Sequence, residues 1–173
     1  MFRALAPASM ILLVAGCTAM GMQSEGPRAR ASLQPTQGNI AAGTAEFVQR
    51  GDRVHVTATL RGLNPNQEHG FHVHEKGDCS APDAMSAGGH FNPDGKPHGP
   101  QNAPHHAGDM PNLRSDASGN AKATFVLDEV TVAPGPKSIA GRGLIVHKNP
   151  DDYRTQPTGN AGDRLACAVI RAD

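Results

Sequence analysis

Two histidines spaced two residues apart can share one metal ion, and the sequence carries such a pair in Gly70-Phe71-His72-Val73-His74. On an extended chain residues i and i+2 point to the same face, so both imidazoles can converge while Phe71 and Val73 turn toward a core. A pair of exposed strand histidines would read the same way, since imidazole is simply the commonest metal ligand. The next stretch is denser: His90, His98, His105 and His106 fall within 17 residues, and Asp109 stands three positions after His106. Neutral imidazoles with one carboxylate suit a closed tetrahedral zinc site. His147 ends the apolar run Gly143-Leu144-Ile145-Val146. It becomes a ligand candidate only in company with His72 and His74.

These residues must be held by short strands. Arg53 to Leu60 alternates, with Val54, Val56, Ala58 and Leu60 on one face, and Gly51-Asp52 separates it from the weaker alternation Thr44 to Val48 as a hairpin turn. His69–His74, Ala121–Leu127, Gly143–His147 and Leu165–Arg171 complete the set of predicted strands. The chain has 173 residues, with 20 Gly and 14 Pro, a density of breakers that excludes long helices and coiled coils. The expected fold is all-β, a sandwich or barrel. Trp is absent, which excludes a core centred on that side chain. Between Glu75 and Ser115 the chain is rich in Gly, Pro, Asn, Asp and His and shows no apolar period. A loop this long inside a compact domain is either disordered or functional. Metal binding would order it, because ligation is then folding free energy.

Lys and Arg number 16 and Asp and Glu 16, so no net basic field points to nucleic acid. The start of the chain reads as an address. Arg3 precedes the short apolar run Met10–Ala15, too short to span a bilayer, and Val14-Ala15-Gly16-Cys17 resembles a bacterial lipobox. The expectation is therefore a signal peptide over 1–16, acylated Cys17 as first mature residue, a flexible tether over 17–31 and a single domain over 32–173. Thr18 rather than Asp after Cys17 points under the sorting pattern to the outer membrane of a periplasm-containing cell. With Cys17 lipidated, Cys79 and Cys167 remain, and in an oxidising compartment two leftover cysteines are most simply one disulfide.

The residues from Gly70 to Cys79 resemble the copper-ligand signature of the copper/zinc superoxide dismutases, and Gly159-Asn160-Ala161-Gly162-Asp163-Arg164-Leu165-Ala166-Cys167 resembles their C-terminal signature. Gly89-His90-Phe91-Asn92-Pro93, His106-Ala107-Gly108-Asp109 and Ile139–Gly143 with His147 match as well, so the similarity runs from about Thr44 to Ile170. The resemblance implies a Greek-key β-sandwich or barrel with a long metal-binding loop and a second, shortened loop over the active site. It implies copper on His72, His74, His90 and His147, and zinc on His90, His98, His106 and Asp109, with His90 bridging. It implies that Asp151 links His72 to His98, with Asp152 as rival, and that Arg164 docks the superoxide anion. His105 competes with His106, but only His106 has the matching spacing to Asp109. His55, His69, Met85, Met110 and Lys148 match no functional position. The implied activity is dismutation of superoxide to dioxygen and hydrogen peroxide by copper redox cycling, with His90 and Arg164 as catalytic residues. Partners beyond superoxide would be a membrane through the lipid anchor, with the chain a monomer or a homodimer. Two rivals share the same residues. One is an exported copper/zinc buffer, which would need no anion dock. The other is a zinc hydrolase on His98, His106 and Asp109, which His90 would close to water.

Overall fold

A computed structural model describes residues 26–173. The expected signal peptide, Cys17 and most of the expected tether lie outside the described residues. Ten strands follow in chain order: β1 Arg28–Pro35, β2 Ala42–Arg50, β3 Arg53–Arg61, β4 Glu68–His69, β5 Phe71–His74, β6 Leu113–Arg114, β7 Ala121–Leu127, β8 Gly143–His147, β9 Arg164–Val169 and β10 Arg171–Ala172. One curled sheet runs β5-β8-β9-β1-β2-β3-β7, with β10 also paired to β1 and every neighbour antiparallel. The chain leaves β3 for the far edge at β5 and returns to β7 before closing through β8 and β9. This is the non-local connectivity expected of a Greek-key barrel. The one helical turn among the described residues is a 3₁₀ turn at Met85–Ala87.

Alternation builds the core. Val54, Val56, Ala58 and Leu60 of β3 face inward against Ala45 and Phe47 of β2 and Leu33 of β1. Burying each Val, Leu or Phe contributes about 1.5–3 kcal/mol. The β2–β3 turn is two residues long, Arg50 pairing with Arg53 across Gly51 at φ 63°. That positive φ fits the primed turns of tight hairpins. β8 is buried along its whole length because it is covered on both faces. Leu144 and Val146 enter the main core, while Ile145 packs with Ala84, Ala87 and Cys167 on the other side.

Three boundaries differ from the sequence reading. The tether does not reach Ala31: β1 begins at Arg28, and Ala29 and Ala31 are buried opposite Phe47 and Ala45. The domain thus starts about four residues before position 32. His69 to His74 is two strands, since Glu68 and His69 pair with β6 whereas Phe71–His74 pair with β8. The break falls at Gly70, where a Cβ would meet Ala161 Cβ at 2.9 Å and His72 Cε1 at 3.1 Å. The last strand also divides, at Ile170, between β9 and β10.

The disulfide forms as expected. Cys79 and Cys167, 88 positions apart, tie the segment after β5 to β9. Chain-entropy reasoning gives such a closure about 4–5 kcal/mol at most.

Candidate metal centre

β5 carries His72 and His74, both fully buried. Its outer edge is taken by the long loop, laid along it like an extra strand. Val73 N–H donates to Gly108 O, Phe91 N–H to Val73 O and Gly108 N–H to Phe91 O, at 2.8–2.9 Å. Isolated bridges His74–His90 and His72–Asp109 continue the pairing. The loop is therefore ordered by backbone pairing with β5 as well as by the disulfide, and this brings His90, His98, His106 and Asp109 beside the strand. On the other side β8 delivers His147, at a register shift against β9 between Val146 and His147. A bulge of this kind re-aims a side chain.

The result is two overlapping clusters, His72, His74, His90 and His147, and His90, His98, His106 and Asp109, with donor atoms in each within 4.8 Å of one another. All are buried. Five of the six rings commit one nitrogen to the protein. His74 Nδ1–H donates to Gly88 O (2.9 Å), His147 Nδ1–H to Gly162 O (3.1 Å), and His72 and His98 donate through Nε2–H to Asp151 Oδ2 (2.8 Å) and Oδ1 (2.9 Å). These bonds fix the tautomers and turn the second nitrogens inward. There His74 Nε2 and His147 Nε2, both left as acceptors, face each other at 3.4 Å. His72 Nδ1, His90 Nε2, His98 Nδ1 and His106 Nδ1 are buried with no hydrogen-bond partner. Unpaired buried acceptors aimed at a common point are costly unless a cation sits between them. This donor set fits the pair of ions. His90 belongs to both clusters; its Nε2 is one of the partnerless nitrogens and its Nδ1 lies 2.7 Å from Asp109 Oδ1.

The electrostatics agree. Burial, with the neighbouring His90 charge, holds His74 well below the usual imidazole range, and burial with the His72 charge does the same to His147. Burial, then the His72 charge, brings His90 to about 4. All three rings are neutral at pH 7, the form that ligates. His98 goes the other way: burial would lower it, but Asp109 and Asp151 outweigh burial and raise it to about 9. Burial would raise both carboxylates, yet the His106, His90 and His98 imidazoles gathered against Asp109, and bonds from His72, His98 and the Tyr153 N–H to Asp151, hold the two far below their usual value.

Arg164, the first residue of β9, donates from Nη1 to Ala84 O and from Nη2 to Gly88 O, both at 2.6 Å. The Gly88 carbonyl thus serves both Arg164 and His74. An open cleft of about 690 Å³ is lined by His74, His147 and Arg164 together.

Rival residues fall elsewhere. His105 Nδ1–H donates to Ala103 O (2.7 Å) and His105 belongs to neither cluster. Asp152 is exposed and binds Arg154 and Thr155. His69 is buried beside the His147 and Asn64 carbonyls. Three supports had no sequence signal. Asn112 holds the Asp151 backbone at two points, Nδ2–H to Asp151 O and Asp151 N–H to Oδ1, both 2.9 Å. Tyr153 donates its N–H to Asp151 Oδ1 at 2.7 Å. Gln156 grips the His98 backbone through both ends of its amide. Gly159, at φ 62°, leaves the space that the Asp151 carboxylate and His98 Nε2 occupy.

Residues 41–170 match the family model described as copper/zinc superoxide dismutase (SODC). The chain is 43% identical over 153 residues to the Cu-Zn superoxide dismutase 2 of Aquifex aeolicus (strain VF5), covering 86% of this chain and 89% of that one. It is 44% identical over 138 residues to the Cu-Zn superoxide dismutase of Cordyceps militaris, covering 75% and 88%. Among solved structures, a SOD-like protein from Bacillus subtilis superposes with a TM-score of 0.72 at 35% identity, over 80% of this chain and 95% of that one. The clock protein EA4 superposes with a TM-score of 0.75 at 40% identity, over 83% and 93%. Two buried histidine clusters sharing one ring, on a curled antiparallel sheet, carry the same conclusion as these likenesses: the chain belongs to the copper/zinc superoxide dismutase family.

Proposed function

We propose that His72, His74, His90 and His147 hold the copper of this superoxide dismutase, that His90, His98, His106 and Asp109 hold its zinc, and that Arg164 docks the substrate. The observation carrying this assignment is the set of buried, partnerless nitrogens turned toward two common points with His90 between them. The reaction takes two superoxide anions and two protons to dioxygen and hydrogen peroxide. Copper supplies the one-electron couple, and zinc a fixed divalent charge without redox chemistry.

The chain's own residues do the rest. The Arg164 guanidinium is held by two carbonyls, so it meets a small anion at a fixed place in the cleft beside His74 and His147. Positive charge prearranged there costs no reorganisation when the anion lands. His90 Nε2 is buried and free of protein partners, which makes it the atom placed to hold a proton and pass it to the reduced anion. The Nδ1 of the same ring stays beside Asp109, which keeps its orientation. Asp151 binds one ring of each set and so couples their geometry. An anion dock on the cleft supports an enzyme over a metal buffer, and a zinc set whose four donors are all protein side chains leaves no position for a hydrolytic water.

Alanine at position 164 is expected to lower the second-order rate of superoxide consumption by about 10-fold or more while copper and zinc contents stay equal to the parent. Pulse radiolysis with metal analysis of the same sample checks this, and an unchanged rate would remove Arg164 from the mechanism.

We further propose that the enzyme is exported and anchored through acylated Cys17, by the outer membrane facing the periplasm. The lipobox-like Val14–Cys17 and the short apolar run before it support this reading. Intact-mass analysis of the mature protein should find Cys17 first and carrying acyl chains. An unacylated N-terminus at another residue contradicts it.

A further inference from the structure

The mouth of the cleft carries charge that the mechanism leaves unused. Arg164 is the one cationic side chain lining it among the described residues, whereas Asp83 and Asp163 both line it as carboxylates. Asp83 stands one residue before Ala84, whose carbonyl binds Arg164, and Asp83 Oδ1 accepts the Met85 N–H at 2.9 Å. That bond fixes the carboxylate on the rim. Its charge reaches the dock: burial lowers Arg164 from its ordinary value, and Asp83 is the charge that opposes the shift. Asp163 is chain neighbour to Arg164, 78% exposed, and 3.4 Å from Lys148 Nζ, which partly offsets it.

Superoxide is an anion, so two carboxylates beside its landing place work against its arrival. Resting on the reading of Arg164 as the dock, we infer that Asp83 and Asp163 form an acidic rim that slows substrate capture, with Asp83 carrying the larger share. Among the described residues no lysine pairs with Asp83 as Lys148 does with Asp163, and Asp83 lies next to the segment that holds Arg164. The effect is long-range and electrostatic, so it must weaken as salt rises.

The test compares fully metallated parent, D83N, D163N and D52N proteins by pulse radiolysis at about 10 mM and about 1 M salt, where the screening lengths are about 30 and 3 Å. Asn at position 83 keeps an oxygen for the Met85 N–H and removes only the charge. Asp52 lies in the β2–β3 turn, at the opposite end of β2 from Thr36, Gln37 and Asn39, which also line the cleft, about 30 Å along the strand, and serves as the distant control. D83N is expected to consume superoxide about two- to threefold faster than the parent at low salt, with D163N gaining less and D52N unchanged. The gain should shrink toward none at high salt. D163N keeps the inference testable if D83N fails to fold. A D83N rate at or below the parent's with full metal content, a gain that persists at high salt, or an equal gain in D52N would each overturn the rim. A metallated parent that consumes no superoxide would instead overturn the dismutase assignment beneath it.

Discussion

Alanine at position 147 is expected to abolish superoxide consumption and copper binding together while zinc and the fold remain. His147 stands at the end of β8, and its Nε2 faces His74 Nε2 at 3.4 Å, so its loss leaves the copper set with three rings and opens the side that faces the cleft. Loss of a supporting partner alone typically costs 10–100-fold in affinity or activity, and a ligand should cost more. The fold should survive because His147 is held in the sheet by its backbone. Its N–H donates to Gly70 O, and β8 stays paired with β5 and β9. What disappears is one hydrogen bond to Gly162 O, worth about 1 kcal/mol, and a buried ring outside the apolar core. The proposed zinc donors, the second cluster, do not include His147. Metal analysis, thermal unfolding and superoxide consumption on one preparation check all three parts. Retained activity with a full complement of copper would refute the ligand assignment.

What the sequence disclosed and what it hid divide along physical lines. β3, β7 and β8 were legible at their observed positions to within a residue, since Val, Leu and Ile alternate or run between turn residues there. β1 was hidden because its inward positions begin with Ala29 and Ala31, whose small side chains barely mark a period, while Arg28 and Arg30 read as tether. The break at Gly70 could not be read locally at all: it exists because Ala161, ninety-one positions later, packs against it. The same contrast holds in the metal centre. Side-chain donors announce themselves by type and spacing, and the structure gathers every histidine and aspartate expected to ligate. Asp151 was legible among the partners that orient those donors, but the backbone carbonyls of Gly88 and Gly162, and the Asn112 amide that holds Asp151, are groups with no distinctive pattern in a chain. His105 and His106 show how local the ambiguity was. Adjacent residues point different ways, and only His106 lies within reach of Asp109, Nδ1 being 3.4 Å from Oδ1.

Asn in place of Asp151 is expected to weaken copper binding more than zinc binding, although the residue touches a ring of each set. The Asp151 carboxylate accepts three N–H groups: His72 Nε2–H on Oδ2, and His98 Nε2–H with the Tyr153 N–H on Oδ1. An amide has one oxygen and one NH₂ where the carboxylate had two oxygens. Placing the oxygen at the Oδ1 position satisfies two donors and opposes one, whereas the reverse opposes two. The first orientation therefore wins, and the NH₂ then faces His72 Nε2. To accept that hydrogen bond, His72 must move its proton to Nδ1, the nitrogen now turned unpartnered toward the copper set. His98 keeps its tautomer, and with it an Nδ1 that stays 2.9 Å from Asp109 Oδ2. Copper affinity should fall about 10–100-fold, with activity falling alongside, and zinc affinity should fall less. Competition titrations of the metal-free variant against chelators, copper and zinc separately, measure the asymmetry. Alanine at the same position supplies the contrast, because it strands donors on both rings, each costing about 1–3 kcal/mol if left buried and unpaired, and should loosen both metals comparably. A larger loss for zinc than for copper in D151N, or no loss of either, would show that this carboxylate does not set the orientation of the two rings.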